Sequence, residues 1–232
     1  MALRGSERKS TLDSRRVWTK EAFSRIDESD DRIFYAKDRF VDHLDTLALA
    51  TVEQIIGEVI TQTHAVVLDL MAGWNSHIPD RLCPSKVVGL GLNENELKQN
   101  KDLSEYLIHD LNRDPRLPFP AQTFDAVINT VSIDYMTRPV EVFSEVARIL
   151  KTGGQFVVIF SNRMFPQKAV KIWKESSEEK RVLLVEGFFR ESGAFGETTV
   201  VASRGKPRPA EDKYAFLGIP SDPVYAVYAG RG

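Results

Sequence analysis

Two acidic residues mark the ends of apolar runs and are the first candidates for binding chemistry. Asp69 closes a run of apolar residues and is followed by a tight turn that contains Gly73. Asp110 follows a second run, residues 106–109. A glycine in such a turn lets backbone amides approach a nucleotide-like ligand, and a carboxylate accepts from an amine and offsets positive charge. An aspartate that caps a turn produces the same pattern, so both interpretations stay open.

Three further side chains could handle protons or anions. His77 is suited to general-base catalysis because imidazole titrates near neutral pH, but it could equally hold the turn of residues 76–79 by a hydrogen bond. Asp134 either orients a hydroxyl or amine nucleophile or caps the following helix. Arg163 either holds a carboxylate or phosphate of a substrate or forms a salt bridge to the N-terminal helix.

Alternating strands and helices are predicted to position these residues. Helices are expected at residues 139–150, 166–175 and 179–191. Early runs that are apolar on both faces are typical of parallel strands covered on both sides by helices. The pattern predicts a doubly wound, mostly parallel α/β sheet whose ligand site lies beyond the carboxyl ends of the strands. Seven strands are expected, at residues 65–71, 86–92, 106–109, 124–130, 155–161, 198–202 and 224–229.

The region before the first strand differs from the rest. Residues 1–31 are polar and predict an arm or a surface helix, whereas apolar positions recur at helical spacing over residues 38–60. We therefore expect an N-terminal arm and helical cap over residues 1–60 and one structural unit over residues 61–232. Residues 39–45 are candidates for a lid over the ligand site.

Composition narrows the class of protein. The 232 residues are 42% hydrophobic and 28% charged with a net charge of −2, which suits a globular domain and argues against a nucleic-acid partner. No apolar stretch approaches the roughly 18 residues that span a bilayer, so no membrane partner is expected. Cys83 is the one cysteine in the chain, which favours a reducing compartment, either the cytoplasm or an organelle stroma or matrix. We expect no metal site, and the oligomeric state is left open.

Several short motifs in residues 63–162 together resemble a known family. They are Leu-Pro-Phe at 117–119, Phe-Asp-Ala-Val at 124–127 and Leu-Lys-Thr-Gly-Gly at 150–154, in that order after Asp69 and Asp110. The chain resembles the class I S-adenosylmethionine-dependent methyltransferases, specifically the type 11 small-molecule group. It looks most like an uncharacterised plant and microbial branch for which we name no substrate. The resemblance implies a Rossmann-like sheet and S-adenosylmethionine as cofactor.

The resemblance also implies roles for particular residues. Asp69 would lie near the methionine moiety, Asp110 would accept from the adenine amino group, and the Leu111 amide would face the adenine ring. The segment from Asn129 to Ser132 would line the face where the methyl is transferred.

The sequence departs from the family pattern at three places. Met71, Gly73 and Asn75 stand for the three glycines of the cofactor turn, which requires Asn75 to accept a positive φ if the backbone keeps its usual path. Gly91 stands where the family places the acid that holds the ribose, so Asn93 or Glu94 would replace it. Ile78-Pro79 interrupts the helix expected after the turn.

The function implied is methyl transfer to an unidentified small-molecule acceptor, with His77 and Asp134 nearest the methyl group. Because two glycines and the ribose acid are missing, a second hypothesis is a degenerate methyltransferase fold that acts as a binding or scaffold protein. A nicotinamide-dependent oxidoreductase is disfavoured, since the sequence lacks the Gly-x-Gly-x-x-Gly turn that such enzymes use.

Overall fold

A computed structural model describes residues 18–232, so the first 17 residues of the arm predicted at residues 1–31 lie outside this range. The strands form one sheet of seven in the order β3-β2-β1-β4-β5-β7-β6. β1 to β5 pair in parallel, and β7 is antiparallel to both β5 and β6. The predicted mostly parallel, doubly wound sheet is confirmed. The strands are Val66–Leu70 (β1), Lys86–Gly91 (β2), Glu105–Ile108 (β3), Phe124–Thr130 (β4), Leu150–Phe160 (β5), Thr199–Ser203 (β6) and Val224–Gly230 (β7).

Six α-helices in the described chain flank the sheet. Two differ from the prediction at their start: the helix expected from residue 38 begins at Thr46, and the one expected from residue 166 begins at Lys171. Asp45 explains the first difference, because its side chain accepts from the N–H groups of Leu47 and Ala48 and so caps the helix there. The helices are Asp31–Phe34 (α1), Thr46–Val59 (α2), Glu94–Gln99 (α3), Pro139–Ile149 (α4), Lys171–Lys174 (α5) and Glu178–Ser192 (α6).

The core lies on both faces of the sheet because alternate residues of the central strands point to opposite sides. Leu68 and Phe156 pack with α4 and α6 on one face, and Val67 and Val157 pack with α2 on the other. All four side chains are fully buried. Burying an apolar side chain of this size contributes about 1.5–3 kcal/mol, so the two layers fix the strand ends on which the ligand site is built.

Buried ion pairs hold the segment before α1 against the loop before α5. Lys168 has no exposed surface, and its Nζ lies 3.1 Å from carboxylate oxygens of both Asp27 and Asp31. Arg25 donates to both carboxylate oxygens of Asp31 at 2.8 Å. The two cations balance the two carboxylates, which allows these charges to be buried together. Among residues 18–232, no helix is long and apolar enough to cross a bilayer.

Candidate active site

A cavity of about 340 Å³ lies at the carboxyl ends of the parallel strands. The strand order reverses between β1 and β4, and in open α/β sheets ligands bind at this switch point. The cavity is bordered by the ends of β1, β2 and β4 and by the loop after β3, and residues 35–44, the lid segment, lie over it. Its volume is typical of sites for small molecules.

Asp69 from β1 places a carboxyl group in this cavity. The residue is 3% exposed, and burial raises the pKa of Asp69 to about 7, although a hydrogen bond from Ser76 acts in the opposite direction. The nearby charge of Asp102 raises the pKa further. A cationic group bound beside Asp69 would favour its ionised form, because opposite charges attract strongly where water is excluded.

Three non-glycine residues that line the cavity hold a left-handed backbone. The φ angles are 64° at Met71, 55° at His77 and 51° at Val131. This region is costly for a side chain with a Cβ, above all for a β-branched valine, and such strain collects at functional sites. Asn75, for which we predicted the positive φ, does not have one; its Oδ1 instead accepts from the His77 N–H at 2.8 Å. In this turn the positive φ angles are at Met71 and His77 instead of at Asn75.

Asp110 and Leu111 form the cavity wall after β3. The Asp110 Oδ1 accepts from the N–H groups of Asn112 and Arg113, at 3.0 and 3.2 Å, while its Oδ2 has no hydrogen-bond partner among the described residues. Leu111 is buried and lines the same wall. A carboxylate oxygen beside an apolar side chain suits a flat ring that carries an amino group.

Hydrogen bonds attach the lid segment to the cavity edge. Trp74 donates from its indole nitrogen to the Val41 carbonyl at 3.2 Å, and the Asn93 amide donates to the Tyr35 carbonyl at 3.0 Å. The Arg39 N–H donates to Glu96 at 2.7 Å. These contacts join the lid to the turn after β1 and to α3, so the cavity is covered in this structure.

Comparisons with known proteins agree with this geometry. Residues 70–158 match the model of a methyltransferase domain family, a range that includes Met71, Gly73 and Asp110. None of the curated proteins matches the chain.

Solved structures share the fold of this chain. One is a chain from the complex between the Trm112 methyltransferase activator of Haloferax volcanii and a protein described as a methyltransferase. That chain is 17% identical with a TM-score of 0.58, and the match covers 79% of this chain and 89% of that one. A methyltransferase of Thermotoga maritima is 18% identical with a TM-score of 0.53, and the match covers 80% of this chain and 91% of that one. A methyltransferase of Aquifex aeolicus is 17% identical with a TM-score of 0.51, and the match covers 82% of this chain and 92% of that one. Both of the latter are described as dependent on S-adenosylmethionine.

Of the two residues predicted to hold a ribose, Asn93 lines the cavity and Glu94 does not. Asn93 lines the cavity, but its Oδ1 accepts from the N–H groups of Asn95 and Glu96 and its amide nitrogen donates to the lid segment. Glu94 lies outside the cavity on the exposed side of α3, 2.9 Å from Lys98. The carboxylate of α3 that does line the cavity is that of Glu96, which we did not predict. The sequence feature that could have identified Glu96 is its position shortly after Gly91, in the segment that forms α3.

Two residues predicted beyond β4 also lie outside the cavity, which corrects their expected placement. Asn129 is fully buried and donates to the Leu70 carbonyl at 2.8 Å and to Ser132 at 2.9 Å, so it ties β1 to the loop after β4. Asp134 is 2% exposed, and burial raises the pKa of Asp134 to about 8. It does not cap α4, because that helix begins after Arg138 without a side-chain cap. Thr130 and Ser132 line the cavity instead.

His77 lines the cavity, and its imidazole makes no hydrogen bond to the described part of the chain. The turn of residues 76–79 is held by Asn75, and Asn100 donates to Ser76 at 2.9 Å. Burial lowers the pKa of His77, although the charges of Asp42 and Asp102 oppose this. The ring is therefore neutral at neutral pH and could accept a proton.

Several cavity residues were not assigned by sequence reasoning. The Arg39 guanidinium lies 4.8 and 5.1 Å from the ring centres of Phe34 and Phe165, and His43 packs edge-on against Phe165. The only sequence signal for these residues was the candidate lid at 39–45. Arg163 also lines the cavity, and it forms a salt bridge with Asp222 at 2.9 Å rather than with the N-terminal helix.

Proposed function

We propose that the protein transfers the methyl group of S-adenosylmethionine to a small-molecule acceptor. The observation that carries the proposal is the covered cavity at the switch point of a methyltransferase domain, with the carboxyl groups of Asp69 and Asp110 on its wall. S-adenosylmethionine carries an ammonium, a sulfonium and an adenine amino group, all of which suit carboxylate partners.

The donor set of this chain fits the cofactor. Asp69 would hold the positively charged methionine portion, and the unpartnered Oδ2 of Asp110 would accept from the adenine amino group. Leu111 would contribute its backbone amide and an apolar surface to the ring. Gly73 leaves space at the turn, since a Cβ there would meet nothing closer than Glu96 at 3.4 Å.

The acceptor side of the cavity offers a base and a hydroxyl group. The cofactor supplies an electrophilic methyl group, so the protein has to align the nucleophile and, where that nucleophile bears a proton, remove it. Neutral His77 would take this proton on its imidazole. Thr130 lines the cavity, and its hydroxyl, which has no hydrogen-bond partner among residues 18–232, would orient the acceptor.

The lid segment would exclude water during transfer. Three side chains hold it, Trp74 on the turn after β1, Asn93 at the N-cap of α3 and Glu96 on α3. A closed, dry site strengthens the electrostatic contacts to the cofactor and keeps water away from the reacting atoms.

Calorimetric titration with S-adenosylmethionine and S-adenosylhomocysteine tests the proposal, with a nicotinamide dinucleotide as the negative ligand. We expect micromolar binding by the wild-type protein and binding at least about 10-fold weaker in Asp110→Asn, because a hydrogen bond to a charged group contributes about 1.5–3 kcal/mol. Asp114→Asn is the matched control, since Asp114 is exposed in the same loop. A folded wild-type protein that binds neither ligand would overturn the proposal and favour the scaffold hypothesis.

A further inference from the structure

Glu96 occupies a place between the cofactor turn and the lid segment. Its Oε1 accepts from the Arg39 N–H at 2.7 Å. Its Oε2 lies 3.4 Å from the position that a Cβ on Gly73 would occupy. The residue is half-buried and lines the cavity, and Oε2 has no hydrogen-bond partner in the described chain. One carboxylate oxygen is thus committed to the lid while the other faces the turn.

The end of β2 has no room for an acid of its own. The Ala72 N–H donates to the Leu90 carbonyl at 2.8 Å, which draws the turn after β1 against β2. As a result, a Cβ on Gly91 would lie 2.4 Å from the Ala72 carbonyl oxygen. That contact is with backbone and cannot be relieved by rotating a side chain. With the turn in this position, residue 91 has no space for an acidic side chain.

The other polar groups at this edge already have partners. Asn93 uses its Oδ1 to cap α3 and its amide nitrogen to hold Tyr35 and Asp38 of the lid side. Glu94 accepts from Lys98 and Tyr106 on the exposed side of the helix. Glu96 is the carboxylate of α3 that lines the cavity.

We infer that Glu96 binds the vicinal hydroxyl groups of the cofactor's ribose, with Oε2 as the acceptor. The inference rests on the proposed function, because it concerns how this chain holds that cofactor. A diol is recognised by a carboxylate through two O–H donors, and such charge-assisted hydrogen bonds are among the stronger ones. Since the same side chain accepts from Arg39, ribose binding and lid closure would depend on one residue.

Calorimetry with S-adenosylhomocysteine and its 2′,3′-dideoxy analogue separates a ribose contact from a lid effect. Glu96→Gln keeps an oxygen that can accept from Arg39 but removes the second carboxylate oxygen. We expect it to weaken binding of S-adenosylhomocysteine about 10- to 100-fold and binding of the dideoxy analogue less than about 3-fold. Glu94→Gln, on the same helix, is the matched control and should change neither affinity.

The outcomes distinguish this inference from the proposed function. If wild-type protein binds S-adenosylhomocysteine and Glu96→Gln binds it as tightly as Glu94→Gln does, Glu96 is not the ribose ligand and the proposed function stands. Equal weakening of both ligands by Glu96→Gln also overturns the inference, because it shows a role through the lid alone. If the wild-type protein does not bind S-adenosylhomocysteine, both the inference about Glu96 and the proposed function are overturned.

A measurement on the wild-type protein makes the test independent of how the variant folds. In the complex with S-adenosylhomocysteine, we expect nuclear Overhauser contacts between the ribose H2′ and H3′ protons and the Glu96 side-chain protons. Glu94 should show none. Ribose contacts that involve other side chains but not Glu96 would overturn the inference.

Discussion

Two acids of the described chain are buried with strongly raised pKa values, and they differ in what surrounds them. Asp69 opens into the cavity, whereas Asp134 is enclosed and its Oδ2 has no hydrogen-bond partner in the part of the chain that the structure describes. Burial raises the pKa of Asp134 to about 8, and the charge of Arg181 offsets this only in part. A carboxyl group in such a place is stable in the protonated form and unfavourable when ionised.

The enclosed acid makes stability depend on pH. The pKa of Asp134 is raised from 3.8 to about 8 in the folded protein. The contribution of its protonated form to the free energy of unfolding is therefore fully present below about pH 4 and is lost as the pH rises through about 8. Asp134→Asn should remove this loss, since the amide has a similar shape and stays neutral. Each pKa unit corresponds to about 1.4 kcal/mol, so we expect the variant to be more stable than wild type by more than about 2 kcal/mol at pH 9.

Urea denaturation at pH 5, 7 and 9 measures this difference. Glu53→Gln, on the exposed side of α2, is the control and should follow the wild-type curve. A constant difference between Asp134→Asn and wild type across the three pH values would contradict the prediction.

His77 gives a second prediction at the residue scale. Burial lowers the pKa of His77 below its ordinary value of 6.5. We therefore expect its imidazole to titrate below pH 6.5 and to be neutral at pH 7. Nuclear magnetic resonance of the ring protons measures the titration, and the signal that disappears in His77→Gln assigns it. A titration midpoint above 6.5 would contradict the predicted effect of burial on the His77 pKa.

At the scale of elements, the site depends on how closely the turn after β1 passes the end of β2. The hydrogen bond from Ala72 to Leu90 sets this approach, and Gly91 permits it because it has no Cβ. Gly91 is buried, so a larger side chain has nowhere to go. The turn and the strand end must therefore be considered as one unit.

Gly91→Ala tests this close approach. The new Cβ would force the turn and β2 apart, and overpacking of this kind destabilises by about 1–3 kcal/mol. Gly196→Ala is the control, because a Cβ there would meet only an ordinary contact at 3.8 Å. Chemical denaturation compares the free energies of unfolding of the two variants. If Gly91→Ala and Gly196→Ala had equal free energies of unfolding, the turn could move away from β2 without loss of stability.

Element prediction succeeded where apolar patterning was long and failed where polar contacts decided the outcome. All seven strands were predicted from their apolar runs. α3 was missed because its six residues include a single buried apolar side chain, and its start depends on the cap by Asn93. Residues 38–45 are not helical because Asp45 starts α2 only at Thr46.

At the scale of the whole molecule, buried charges connect regions far apart in the sequence. Lys168 joins Asp27 and Asp31, and Asp45 accepts from the Ser221 hydroxyl at 2.8 Å and from the Asp222 N–H at 2.6 Å. The lid segment lies between these two attachments. The division at residue 60 remains a prediction, and in the described chain the N-terminal segment is attached on both sides of the lid.

The Lys168 attachment gives a prediction for stability and for local opening. Lys168→Met keeps the apolar volume but leaves two carboxylates with only Arg25 to balance them. Breaking a buried pair in this way destabilises by about 3–5 kcal/mol. Denaturation should show this loss, and hydrogen exchange should show faster opening of residues 25–35.

Lys171→Met is the matched control for that experiment. Its partner Glu21 is 79% exposed, and a surface ion pair of this kind contributes at most about 1 kcal/mol. If the two lysine variants lost equal stability, the buried attachment would not be what holds the N-terminal segment in place.

The positions of Asp69, Gly73, Asp110, Leu111 and His77 at the cavity could be anticipated because each lies at a strand end or in the loop that follows one. Arg39 could be anticipated only as part of the candidate lid at residues 39–45. Glu96 and Tyr35 could not be anticipated, since their places depend on how α3 and the start of the lid segment fold over the site. Local patterns predict what a strand presents at its end, but not which side chains of a distant segment reach the site.

The hydrogen bonds that close the lid segment have a consequence for the rate at which product is released. Moving the lid segment away from the cavity edge requires the bonds to Val41, Tyr35 and Arg39 to break. Reactions in covered sites of this kind are often limited by release of product rather than by chemistry. We expect the spent cofactor to leave slowly, so that the first turnover is faster than those that follow.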